Sequence, residues 1–173
     1  MPIFVKVSCD LKSYPLKPSV HILYHLVRPL RPIKYEGEAS ASAFFTWRGE
    51  EYLPECAFKN DPSCWWAVNP VTQQNRPALI YFCWAEKFVI AKFGFENQAL
   101  KESPKRLDAI GSMDGINWTT LLEIQNAEFS EGNQFRIWKI PAENRRPFAC
   151  FGLKVFSSID DEAAAIRNMI IWH

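Results

Sequence analysis

The residues best equipped for chemistry are Trp47 and Arg48, side by side in a polar and aromatic stretch that runs Thr46-Trp47-Arg48-Gly49-Glu50-Glu51-Tyr52. An indole face stacks on the apolar face of a sugar or enters a membrane interface. A guanidinium offers a planar fork of donors to hydroxyls, carboxylates or phosphates. Glu50 or Glu51 accepts hydrogen bonds from hydroxyls. This is the chemistry of recognition, with no group poised to make or break a bond. A quieter arrangement is equally compatible with the sequence: Trp47 folds back onto the body of the domain, and Arg48 pairs with Glu50 or Glu51. Glu51 is expected to be a plain solvated charge.

Nothing else in the chain assembles a catalytic set. His21, His25 and His173 are not spaced as a metal or catalytic cluster, although His21 and His25 would share a helical face. There is no Gly-x-Ser-x-Gly, and with seven glycines there is no phosphate-cradling loop. The expectation is a non-enzyme without a cofactor. The net charge of +1 lacks a concentrated basic run, which argues against nucleic acid as the main partner. The five cysteines, Cys9, Cys56, Cys64, Cys83 and Cys150, form no CxxC pair. Cys83 and Cys150 lie in apolar strand patterns and read as buried thiols. Cys56 and Cys64 flank one turn, and whether they pair depends on a separation the sequence does not give.

These residues need a support. The length of 173 residues suits one domain with an N-terminal addition, and 48% hydrophobic residues supply a substantial core. In residues 1–35, Ile3–Val7 reads as a strand. Val20–Val27 reads as a strand or a short helix, and Pro15, Pro18, Pro29 and Pro32 exclude one long helix. This extension is expected to pack on the main body or on a partner. Residues 36–173 are mostly β: short apolar runs alternate with Pro, Asn, Gly and Asp turns. Phe135–Ile140 alternates as a half-buried strand, and Asp160–Ala165 reads as one helical turn with acids at its start. Met1–Leu11 contains Lys6 and Asp10 and lacks a long apolar core, so no signal peptide is legible and a cytoplasmic home is the simpler expectation. A signal peptide already removed would leave the same picture.

Several segments, in order, resemble the discoidin, or coagulation factor 5/8 type C, family. They are Ala39-Ser40-Ala41-Ser42, Ala57-Phe58-Lys59-Asn60-Asp61 with Trp65, Leu79–Trp84 followed by Val89–Phe95, Gly111–Thr119 with its Ser-x-Asp-Gly-x-x-Trp pattern, Phe148–Phe156, and Asn168–Trp172. The resemblance covers roughly residues 36–173. It implies an all-β fold, an antiparallel sandwich of the discoidin-like jelly-roll type, with residues 1–35 as an N-terminal extension. It casts Asn117-Trp118-Thr119 as part of a turn with Trp118 packed inward, not as a glycosylation site.

The resemblance also implies that loops at one end hold the ligand: residues 46–52, 68–76 and 96–103. The candidate contacts are then Trp47, Arg48, Glu50, Gln73, Asn75 and Arg76. Many relatives hold calcium near the Ala57–Asp61 turn. Here only Asp61 suits that role, so no metal is expected, and the Lys59 ammonium is expected to pair with Asp61 instead. Glycan recognition is the leading function. A protein-interaction or adaptor role is the alternative, with weak phospholipid-surface binding third, and an oligomer is compatible with any of them.

Overall fold

The computed structural model describes residues 29–68, 72–73, 76–161 and 163–173, with the backbone alone at 72, 73 and 76. The expected elements at Ile3–Val7 and Val20–Val27 lie outside the described residues.

Twelve strands are present among the described residues: β1 (Gly37–Ala41), β2 (Thr46–Trp47), β3 (Glu50–Glu51), β4 (Trp66–Val68), β5 (Thr72–Gln73), β6 (Arg76–Val89), β7 (Lys92–Asn97), β8 (Pro104–Ser112), β9 (Trp118–Ile124), β10 (Phe135–Lys139), β11 (Pro147–Ser158) and β12 (Ala164–Trp172). One sheet runs β1-β6-β11-β8-β9, with β5 also paired to β6; the other runs β10-β7-β12-β4. All pairings are antiparallel. The result is the expected β-sandwich.

The side-chain period of two builds the interior. Along β6, Ala78, Ile80, Phe82 and Trp84 are buried; along β7, Phe93 and Phe95. Across the layers Phe93 meets Phe151 at 5.1 Å between ring centroids, and within its own sheet it stacks on Trp138 of β10 at 5.4 Å. On β12 the register shifts between Arg167 and Ile170, with Asn168 at φ 48°. This irregularity lets Ile166, Met169 and Ile171 all reach the core despite their uneven spacing. Residues 31–33 extend the same layer: Arg31 and His173 exchange backbone hydrogen bonds, Ile33 donates to Ile171, and the Ile33 side chain is buried. Tyr35 follows, its hydroxyl donating to the Met169 carbonyl and its ring edge-on to Phe58 and Phe82.

Four expectations are corrected. Cys83 and Cys150 are joined in a disulfide, because directly opposite positions on β6 and β11 bring their Cα atoms to 4.1 Å. Cys56 and Cys64 also pair. Residues 159–161 bend and Ala164 already begins β12, so the described residues of 160–165 form no helical turn; Asp161 takes φ 59°, outside helical geometry. Trp118 is half-buried edge-on to Tyr81, whose neighbours Ile80 and Phe82 point into the core, so the indole packs on the outer face of its sheet.

The fourth concerns Lys59, which forms no ion pair with Asp61 among the described residues. The Asp61 carboxylate instead accepts from the Ser63 backbone N–H and hydroxyl, and these bonds hold its pKa below the usual carboxylate range. The cation that ties down this turn is Arg167. Its guanidinium donates to the Pro62 carbonyl (2.7 Å), Glu96 Oε1 (2.5 Å) and Asn133 Oδ1 (2.8 Å). Among the described residues, no group of three or more His, Cys, Asp or Glu side chains is placed to hold a metal.

Candidate functional site

Register places one pole of the sandwich. Ala41 of β1 lies opposite Ile80, close to the start of β6; Val68 of β4 lies opposite Ala164, at the start of β12; Ser158 at the end of β11 lies opposite Pro104, at the start of β8. The segments 42–52, 98–103 and 159–161 therefore emerge together, with Val68 and the paired backbones of β5 and the start of β6 at the same pole. The first and third sequence-predicted loops belong to this pole, as do the described ends of the second, Val68 and Arg76.

The first is a hairpin. β2 and β3 pair Trp47 with Glu50 and Thr46 with Glu51 around a two-residue turn, Arg48-Gly49. Both turn residues have positive φ, 51° and 86°. That matches the twist of a type I′ connection, in which glycine carries no Cβ penalty. Directly opposite residues share a face, so Glu50 stands on the Trp47 side and Glu51 on the reverse. The hairpin is pinned by Phe45 N–H to the Ala67 carbonyl (2.8 Å), Tyr52 N–H to the Phe45 carbonyl (3.0 Å) and the buried Trp66 indole N–H to the Ala43 carbonyl (3.0 Å).

Trp47 is not folded away: it is 54% exposed. The Arg48 guanidinium lies 5.7 Å from the centroid of that ring and makes no ion pair with Glu50 or Glu51 among the described residues. Three further rings continue from Trp47. Phe45 stacks on Trp47 at 6.1 Å and on Tyr52 at 5.9 Å, and Tyr52 meets Trp65 at 5.3 Å. Trp65 and Trp66 are consecutive, so one faces the cleft while the other is fully buried. The Cys56–Cys64 bridge closes the turn that delivers Trp65.

These rings line a cleft of about 410 Å³, with Gln98 and Glu102 from the third loop and the small side chains of Ala67 and Ala163 completing it. The third loop is held by a polar knot. Asn97, fully buried, donates to Ser103 Oγ (2.6 Å) and the Glu131 carbonyl (2.7 Å) and accepts from the Gln134 N–H (2.6 Å). Ser103 Oγ donates to the Ala99 carbonyl, and the Glu102 carbonyl accepts from the Ala165 N–H. Glu102 is half-buried. Loss of hydration, then the nearby Asp160 carboxylate, push its pKa up.

The sequence-predicted residues fall as follows. Trp47 lines the cleft; Arg48 and Glu50 neighbour it on the hairpin but are not among the residues that line the cleft. Gln73 and Arg76 pair through their backbones in the β5–β6 hairpin at this pole. Asn75, and the side chains of Gln73 and Arg76, lie outside the described residues. Glu96 and Asn97 belong to β7, and Glu96 is committed to Arg167, so the third loop proper is residues 98–103. Phe45, Tyr52, Trp65, Gln98 and Glu102 were not singled out from the sequence. The signal for the three aromatic residues was aromatic density between Phe44 and Trp66, and for Gln98 and Glu102 only their place in the third predicted loop.

A second cleft, of about 400 Å³, lies at the opposite pole beside Ser112, Asp114, Asn117 and Arg146. Its carboxylate is already used. Asp114 accepts from the Ile116 and Asn117 N–H groups, the Asn117 amide and the Ser112 hydroxyl, which hold its pKa far below the usual carboxylate range. That cleft is built around a closed turn, whereas the loop-pole cleft presents side chains with bonding capacity left over.

No family model and no curated protein matches the chain at the level of sequence. Solved structures do match in fold. The F5/8 type C domain of a Bacteroides fragilis protein superposes with a TM-score of 0.67 at 12% identity, covering 83% of this chain and 96% of that one. Chitosan-binding module 1 from a chitosanase/glucanase of Paenibacillus sp. IK-5 gives 0.63 at 15% identity, covering 79% and 95%. A CBM32 module from Clostridium perfringens, solved in complex with GalNAc-β-1,3-galactose, gives 0.64 at 16% identity, covering 78% and 93%. The chain thus has the discoidin-like fold that its sequence segments resemble.

Proposed function

We propose that the chain is a non-catalytic carbohydrate-binding module whose ligand occupies the aromatic cleft at the loop pole. The observation that carries this reading is the run of four rings, Phe45, Trp47, Tyr52 and Trp65, beside the Gln98 amide and the Glu102 carboxylate. A sugar ring has apolar C–H faces and a rim of hydroxyls. The rings suit the faces, and Gln98 (donor and acceptor) and Glu102 (acceptor) suit the rim. Arg48, Glu50, Gln73, Asn75 and Arg76 are proposed contacts around the opening. Solved neighbours named for carbohydrate binding support the same reading.

The two disulfides favour an oxidising compartment over the cytoplasm. One exposed indole with Glu50 and Glu51 beside it falls short of what stable membrane anchoring needs.

The test is a glycan array followed by calorimetry with Trp47→Ala. One stacking partner is worth roughly 1 kcal/mol, so affinity should fall about five- to tenfold. The folded structure should survive, because Trp47 is half in solvent. Silence on every sugar class at high protein density, or a Trp47→Ala protein that binds as well as the parent, rejects the proposal.

A further inference from the structure

Asn117-Trp118-Thr119 is the one Asn-x-Ser/Thr acceptor pattern in the chain, and the binding function leaves it unused. A purely structural reading of this triplet goes with an inward Trp118. The indole instead lies on the outer face of its sheet, 5.0 Å from the Tyr81 ring centroid. The acceptor side chain is therefore open to a second reading.

Residues 113–117 connect β8 to β9, whose Ser112 and Trp118 lie opposite each other. Asn117 is exposed in this connection. Its Nδ2 donates to Asp114 Oδ2 at 2.8 Å, which uses one of the two amide hydrogens. The other has no acceptor among the described residues. A substituent can replace that hydrogen while the bond to Asp114 is kept.

Two further observations bear on the same turn. Gly115 sits over the Cys83–Cys150 bridge: a Cβ there would stand 3.7 Å and 3.8 Å from the two Sγ atoms. The turn thus rests on a disulfide, a bond that persists where secreted proteins mature. Beside the acceptor, Ile116 is 78% exposed and Met113 49%, two large apolar side chains on one short connection.

We propose that Asn117 is an N-glycosylation site whose glycan shields the Met113 and Ile116 side chains, at the pole opposite the aromatic cleft. The donor is a lipid-pyrophosphate-linked oligosaccharide. Asn117 Nδ2 attacks the anomeric carbon, the N–C bond forms, and the C–O bond to pyrophosphate breaks with its electron pair leaving on the lipid pyrophosphate. The amide gives up one proton to a base. In the folded chain the Thr119 hydroxyl accepts from Arg146 at 3.0 Å. Arg146 lies 27 residues downstream, roughly 1–5 s of synthesis at about 5–20 residues per second. Modification belongs to that interval, before Arg146 engages the hydroxyl.

The experiment directs the whole chain into the secretory pathway of cultured animal cells and measures intact mass before and after N-glycosidase, with peptide mapping. One N-linked glycan should map to Asn117. Asn117→Gln and Thr119→Ala should each abolish it, and Thr119→Ser, which keeps an acceptor hydroxyl, should retain it. Modification precedes folding, so these results stand even for a variant that folds poorly. Enzymatic removal of the glycan from the parent should lengthen retention on a hydrophobic-interaction column.

A parent chain of unmodified mass, a glycan mapped to another residue, or a glycan that persists in Thr119→Ala overturns the assignment. Equal retention with and without the glycan overturns the shielding of Met113 and Ile116. The aromatic cleft stands or falls separately from all of these.

Discussion

Arg167→Met probes the framework on which the cleft stands. Arg167 is 9% exposed, and its guanidinium bridges three segments: the Pro62 carbonyl in the turn leading to Trp65, Glu96 on β7, and Asn133 before β10. Methionine fills much of the volume but donates to none of them. Glu96 would then keep its charge with only 19% of its side chain in solvent. Breaking one partner of a buried pair costs roughly 3–5 kcal/mol. The residual exposure of Glu96, together with a buried Arg167 Nε–H that lacks a partner among the described residues, puts the expectation at the lower end, about 3 kcal/mol. For a chain of this size that lowers the melting temperature by about 6–12 °C.

Urea unfolding of Arg167→Met, Glu96→Met and the double variant reads the coupling directly. The double variant should be less damaged than simple addition predicts, by about 2 kcal/mol, because no lone charge is left behind. A single-variant cost under about 1 kcal/mol, or additive effects, would show that the bridge holds nothing together.

Three further outcomes follow from the geometry. Cys83→Ser with Cys150→Ser should cost about 4 kcal/mol, from the closure of a separation of 67 residues, and intact mass before and after reduction should count the bridges. Asn97→Leu leaves Ser103, Glu131 and Gln134 groups unpaired in the interior; it should destabilise the fold by about 2–4 kcal/mol and weaken glycan binding by releasing the loop that bears Gln98 and Glu102, both measurable on one preparation. Glu102→Gln should raise stability at neutral pH. The Glu102 pKa is raised in the folded state, so the folded protein binds the extra proton first and the parent gains stability as pH falls from that raised value to the ordinary carboxylate pKa. The advantage of the variant should shrink across that window, as melting curves at several pH values would record.

Much of the scaffold was legible in the chain. Alternation in Phe135–Ile140, and short apolar runs between turn residues, are local signals, and they yield strands; Leu79–Trp84 was legible as a strand through the family resemblance. Trp47 was legible as a candidate contact from its polar neighbours, but its exposure was not, since a ring folded back onto the domain fitted the sequence equally well. What could not be read depends on contacts distant in sequence. Cys83 and Cys150 look like core thiols until strand register sets them opposite each other. Glu102 and Gln98 carry no motif; they join Trp65 only because β4, β7 and β12 end at one pole. Lys59 looked like the cation for the Asp61 turn, but an arginine at the irregularity of β12 takes the task from across the sheet.

The most direct test of the cleft is a two-dimensional amide and indole NMR titration with whichever oligosaccharide the array selects. The indole N–H signals of Trp47 and Trp65 and the amides of Gln98 and Glu102 should shift together along one binding curve, while those of Trp138 and Trp172 stay still. Shifts confined to Ser112–Thr119 and Arg146 would move the ligand to the other pole and contradict the account.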